Sequence, residues 1–254
     1  MSLSENFIRH LIQAATACAL IMSSAAYASP QIDVGDWYEF MPSSRSTLTK
    51  TVTNSGSSTA YVSVSAQEVF ARNGYAPDPG AAKAGTPAAD TLTTGLVVSP
   101  SRLIIPKGMR QTVRLLAGGE RSQERYFRVS FIPVIPSEKD RFGLDDRQIK
   151  DAAQGAKAGV AVLTGYGIMV TVAPDSARYQ TQVQRTPQGW TVTNNGNATV
   201  RLLNPKTCQA GKCSYESSMH IRPGNNLTFT ADGGRSYTFR LKEGERETPK
   251  SLTP

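Results

Sequence analysis

Apolar and polar positions alternate with a period of two along most of this chain, and no segment sustains the 3.6-residue repeat of an amphipathic helix. Alternating runs predict strands at 31–40, 48–53, 60–70, 95–98, 102–105, 111–116, 126–134 and 160–172. Ala173-Pro174-Asp175 interrupts the pattern, and a second series follows at 179–184, 189–194, 199–204, 214–221, 226–230 and 236–241. Short strands at this spacing, separated by turn residues, point to an all-β protein made of sandwiches. The break at Pro174 divides it into a first sandwich over 29–173 and a smaller second one over 174–254. Residues 73–94, rich in Ala, Gly, Pro and Thr, read as a long loop. Residues 137–159 read as a second, charged loop, with room for a short helix inside 145–157.

The stretch 159–172 is long for a strand in a domain of this size. One face carries Val160, Val162, Thr164, Tyr166, Ile168, Val170 and Val172, and the other Ala161, Leu163, Gly165, Gly167, Met169 and Thr171. A strand with one face in water shows polar residues there, and this one shows almost none. It is therefore either a central strand or an edge whose exposed part receives another chain. Proteins normally blunt an apolar edge with charge or proline. Its place after a long loop, at the end of the first sandwich, favours the edge.

The N-terminal 28 residues have the layout of a secretory signal peptide: Arg9 and His10 in a polar start, the apolar run 11–22, and Ala26-Tyr27-Ala28 as a small-residue cleavage site. Ser23, Ser24 and Ser29-Pro30 end the run well short of the roughly 20 residues that span a bilayer. Export makes Cys208 and Cys213 the even pair that remains once Cys18 has left with the signal, and their spacing around Gly211 predicts a disulfide across a small hairpin.

The composition narrows the function. With 39% apolar and 19% charged residues, the 254-residue chain is neither disordered nor collagen-like. Two histidines, His10 and His220, leave no material for a multi-histidine metal site. The sequence contains no Gly-rich phosphate loop, no G-x-S-x-G and no H-E-x-x-H. An enzyme is not indicated, and neither a cofactor nor a small-molecule substrate is expected. The net charge of +8 is spread out, with 11 basic and 6 acidic side chains in 174–254. No Lys/Arg run of nucleic-acid type occurs. A basic surface of this kind steers acidic partners. What remains is a binding or structural protein.

Several motifs in order resemble the periplasmic pilus chaperones. Leu96-Val-Val-Ser-Pro-Ser-Arg-Leu-Ile-Ile-Pro-Lys-Gly-Met-Arg-Gln-Thr-Val-Arg-Leu115 is similar to the family's strand, Pro-x-Gly turn and strand ending in x-R-L. Tyr126-Phe-Arg-Val-Ser-Phe-Ile-Pro-Val-Ile-Pro136 is similar to the next strand with its I-P-P-like end. Trp190 to Asn197, the Cys208/Cys213 loop and Tyr237-Thr-Phe-Arg-Leu241 continue the match, which looks closest to the chaperones of the colonisation-factor type.

The resemblance implies two immunoglobulin-like sandwiches set in an L, located in the periplasm. It implies pilin subunits and an outer-membrane usher as partners. It also implies donor-strand complementation, in which the chaperone lends its seventh strand to an incomplete subunit. On this sequence the lent side chains are Val160, Val162 and Thr164, continuing to Tyr166 and Ile168. The family anchors the subunit's terminal carboxylate with an Arg on the first strand and a Lys on the seventh. Those places here fall near Trp37 and Met169, so neither cation carries over. Lys50 shares parity with Leu48 and Val52 and so points inward, a substitute cation for that carboxylate or a lysine snorkelling at the strand's edge. Arg128 and Arg114 are further candidates. The alternative function is an exported pilin-like or sugar-binding sandwich. A pilin would carry its alternating strand at the mature N-terminus rather than mid-chain, and a sugar face needs more aromatics than Trp37 and Trp190 supply.

Overall fold

The computed structural model describes residues 29–69, 95–157 and 163–254. The signal-peptide segment, the loop 73–94 and the candidate side chains Val160 and Val162 lie outside the described residues. Seventeen strands and one α-helix form among the residues described, so the chain is all-β.

Nine strands build the first sandwich. One sheet has the order β1-β3-β7-β5, from β1 (Ile32–Asp33), β3 (Thr47–Asn54), β7 (Arg110–Ala117) and β5 (Leu96–Ser99). The facing sheet has the order β2-β9-β8-β4-β6, from β2 (Tyr38–Met41), β9 (Tyr166–Val172), β8 (Arg125–Val134), β4 (Ala60–Val69) and β6 (Arg102–Ile105). Alternation does the sorting. Val62 and Val64 on β4, Phe127, Val129 and Phe131 on β8, and Ile168 and Val170 on β9 meet Val52, Val113 and Leu115 of the other sheet in one buried cluster. Each such side chain contributes about 1.5–3 kcal/mol.

The first expected strand divides. Gly35, at φ +65°, turns the chain after β1, its N–H held by Asp33 Oδ1 at 2.8 Å. β1 therefore pairs with β3, whereas β2 crosses to the other sheet and runs parallel to β9. Helix α1 (Asp146–Lys157) fills most of the second long loop and leads towards β9.

The second sandwich has a cluster of its own, including Val192, Val200, Leu202, Phe229, Phe239 and Leu241. Its small sheet is β10 (Thr181–Thr186), β11 (Gly189–Asn194) and β15 (Asn226–Thr230). The other follows β13 (Lys212–Tyr215), β12 (Val200–Gln209), β16 (Ser236–Glu243) and β17 (Arg246–Leu252), with β14 (Met219–Ile221) also on β12. The periodicity missed β17. It is an edge strand of mixed Arg, Glu, Thr, Pro and Lys residues that buries only Leu252 fully. Cys208 and Cys213 are bonded across β12–β13, as their spacing predicts.

Both sandwiches repeat one turn. Asn54 is fully buried; its Nδ2 donates to Ser58 O and Ile105 O, and its Oδ1 accepts from Gly56 N. Asn194 is equally buried; its Nδ2 donates to Ala198 O and Ile221 O, and its Oδ1 accepts from Gly196 N. Gly56 and Gly196 are required there because a Cβ at either would collide with backbone atoms of the adjoining strand entry.

Candidate functional site: the open edge of the first sandwich

β9 has β8 on one side for its whole length, with Phe131 opposite Tyr166 and Arg125 opposite Val172. On its other side β2 covers only the far half, from Tyr38 opposite Met169 to Met41 opposite Val172. The last rung is Met169 N–H donating to Trp37 O at 2.8 Å. Among the described residues, Tyr166, Gly167 and Ile168 have no neighbour on that side. Unpaired N–H and C=O groups in such a row are a template for another strand.

Burial along one face of β9 falls steadily towards this open end. Val170 and Ile168 are 0% exposed in the sandwich's own core, Tyr166 is half-buried against it, and Thr164 is exposed. Ile168 is thus not a lendable side chain: Val129 lies opposite it, and the core has closed over it. The expected donor series is corrected at that end.

Six large apolar side chains are exposed among the described residues, and four stand on the segments that flank this edge: Trp37 (65%), Tyr38 (54%), Ile132 (46%) and Ile135 (47%). Trp37 and Tyr38 stand where β2 begins; Ile132 leans over Gly165, and Ile135 directly follows β8.

The three candidate cations go to three different places. Lys50 is buried, as its parity predicts, but it is not an unpaired charge: its Nζ donates to Glu39 Oε1 and Asp36 O, each at 2.6 Å. Burying the ammonium demands such partners, and β2 with the residues just before it supplies them. Arg114 is exposed on the outer face of the opposite sheet, across from Thr49 and Ser99, and does not come near β9. Arg128 sits on the outer face of β8, opposite Met169. Its Nε would lie 3.0 Å from a Cβ placed on Gly167, so the guanidinium rests across β9 in the space this glycine leaves. That Nε is buried and has no hydrogen-bond partner. Glycines 165 and 167 were legible in the sequence; the arginine lying over one of them was not.

The same outer face runs into the joint with the second sandwich. Glu124 Oε1 accepts from Tyr126 Oη and Thr199 Oγ1, and its Oε2 accepts from Thr199 N, at 2.5–2.6 Å. Burial raises the Glu124 carboxyl above its ordinary pKa, against the opposing pull of these hydrogen bonds. His220 of β14 packs at a tilt against Tyr38 and Phe40, with ring centroids 4.6 and 5.0 Å apart, and Arg201 lies 4.4 Å over the Phe40 ring. Arg121, itself buried, ties Ala173 O to Pro42 O and Arg45 O just before Pro174. A cleft of about 280 Å³ remains beside these contacts, lined by Phe40, Arg45, Glu124, Tyr179, Arg201 and Lys242 among others. Sequence reasoning did not single out this joint, because its partners are scattered over the whole chain.

Among known proteins, the probable fimbrial chaperone EcpB of Escherichia coli O157:H7 is 27% identical over 215 residues, covering 84% of this chain and 86% of the relative. EcpB of E. coli O127:H6 matches at the same identity and coverage. Over most of its length the chain is thus similar to fimbrial chaperones. No family model matches it. For the fold, a chain of the Salmonella enterica SafA pilin–SafB chaperone complex superposes with a TM-score of 0.50 at 14% identity, covering 88% of this chain and 96% of that one. The two sandwiches are immunoglobulin-like, as the resemblance noted in the sequence implies.

Proposed function

We propose that this chain is a periplasmic chaperone that stabilises pilin subunits by lending them a strand and passes them to an outer-membrane usher. The observation that carries this reading is the half-open edge of β9, rimmed by Trp37, Tyr38, Ile132 and Ile135. A subunit that lacks a strand has an unpaired edge and an uncovered apolar groove, and both are satisfied by a strand offered in this way. Main-chain hydrogen bonds along the edge supply affinity. Apolar side chains of alternate residues enter the groove, each worth roughly 1.5–3 kcal/mol when fully buried.

The lent residues are Val160, Val162 and Thr164, with Tyr166 at the boundary. Arg128 is the cation best placed for the subunit's carboxylate, since it lies over β9 with an unsatisfied N–H. Residues 29–173 form the lending sandwich and 174–254 the second one, with the export signal in 1–28. The activity is binding and release, with no chemical step. The test is co-expression with a pilin subunit, followed by recovery of a one-to-one complex. Val162→Asp is expected to lower recovery at least tenfold while leaving the melting temperature unchanged, and undiminished recovery would refute the lent strand.

A further inference from the structure

The joint between the sandwiches contains the only histidine outside the 28-residue N-terminal segment, packed against residues of the strand that closes part of β9. We infer that His220 is an acid-sensitive latch: its neutral ring holds the second sandwich against β2, and protonation of that ring loosens the joint.

The geometry favours the uncharged ring. His220 lies directly opposite Arg201 in the β12–β14 pairing, and Arg222 follows two residues later. Arg201 is placed over Phe40 and Arg222 over Tyr126, so both guanidinium groups occupy the same joint as the imidazole. From β2 the ring meets Tyr38 and Phe40; Glu39 between them is turned away to Lys50. Just before β8, Glu124 is occupied by Tyr126 and Thr199. Glu247 of β17 pairs with Lys242 and Arg240. Among the described residues no carboxylate forms an ion pair with His220. A proton on this ring would place a third positive charge beside two arginines, in a half-buried site with no anion to answer it.

Burial, then Arg201, then Arg222 lower the His220 pKa from 6.5 to about 4. With the joint open, the ring returns to its ordinary value. Between pH 6.5 and 4 the open form therefore binds the proton more tightly, and the joint weakens as pH falls through that window. Glu124 works in the opposite sense. Its raised pKa means that acid relieves a desolvation cost, so the weakening is attributable to the imidazole.

The experiment uses the empty, untagged chain, so it does not depend on the proposed subunit binding. The protection factor of the Thr199 amide, which donates across the joint to Glu124, is measured by hydrogen exchange at pH 7 and pH 4.5. It is expected to fall at least tenfold in the natural chain relative to core amides such as Val64. In His220→Phe, which keeps an aromatic ring but cannot be charged, it is expected to stay constant. An equal fall in both, or no fall in the natural chain, overturns the latch. Should the variant fail to fold, the imidazole resonance of the natural chain decides. Titration below pH 5 together with loss of Thr199 protection supports the latch, and titration without loss of protection overturns it.

Discussion

The two sandwiches share a frame and differ at their last strands. Each is stitched by a buried asparagine that bridges a hairpin to a neighbouring strand, Asn54 in the first and Asn194 in the second. The second ends on β17, which pairs along β16 and carries Arg246, Glu247, Pro249 and Lys250 along its length. Charge and proline on an edge discourage further pairing. The first ends on β9, where apolar residues and Gly167 take those places and β2 covers only half of the free side. One sandwich protects its edge and the other leaves part of it unpaired among the described residues. The difference shows that a shared core pattern leaves the edge free to take on a function.

The largest test of the shared frame is at the asparagines. Asn54→Ala strands buried carbonyls at Ser58 and Ile105, and Asn194→Ala does the same at Ala198 and Ile221. Each is expected to cost about 3–5 kcal/mol by chemical denaturation, because several buried polar groups lose their partner together. Hydrogen exchange should show the loss confined to the sandwich that holds the substitution. Loss spread evenly over both would mean that they do not behave as separate cores.

Next in size is a feature found only in the second sandwich. Replacing Cys208 and Cys213 by Ser is expected to lower its stability by about 2 kcal/mol, the chain-entropy effect of so short a loop, with no change in subunit recovery. Parity of the two sandwiches' stability losses would contradict this. Smaller still is the contrast between the two faces of the first sandwich. Arg128→Gln is expected to weaken subunit binding about tenfold in a titration, equivalent to roughly 1.4 kcal/mol. Arg114→Gln, exposed on the opposite sheet, is expected to change binding and stability by under about 0.5 kcal/mol. Equal effects of the two would remove Arg128 from the lending edge.

Much of this was legible in the chain. Period-two alternation located most strands, Pro174 marked the change of series, and the spacing of Cys208 and Cys213 anticipated their bond. The chain also carries Val-Thr-Asn-x-Gly twice, at 52–56 and 192–196, a repeat whose meaning emerges only with its twin buried asparagines. Other features resisted. Gln31 to Phe40 looks like one strand because a glycine turn that moves a chain between sheets leaves the alternation intact on either side. β17 was missed because an edge strand with one fully buried residue has almost no apolar signal. Lys50 pointed inward as its parity required, yet parity is silent on partners, and Glu39 reaches it from a different sheet and Asp36 from the turn before β2.

The sequence by itself determined that the chain folds as strands, which side chains face inward, and that an unusually apolar strand stands at the end of the first series. Those properties follow from the order of neighbours along one backbone. Only the tertiary structure decided how far β2 covers that strand, that Ile168 belongs to the core, that Arg128 rather than Arg114 lies over β9, and that His220 sits in the joint. Each of these depends on which distant segments meet. Contacts between residues tens of positions apart are set by packing two sheets and two sandwiches together, and local periodicity carries no record of them.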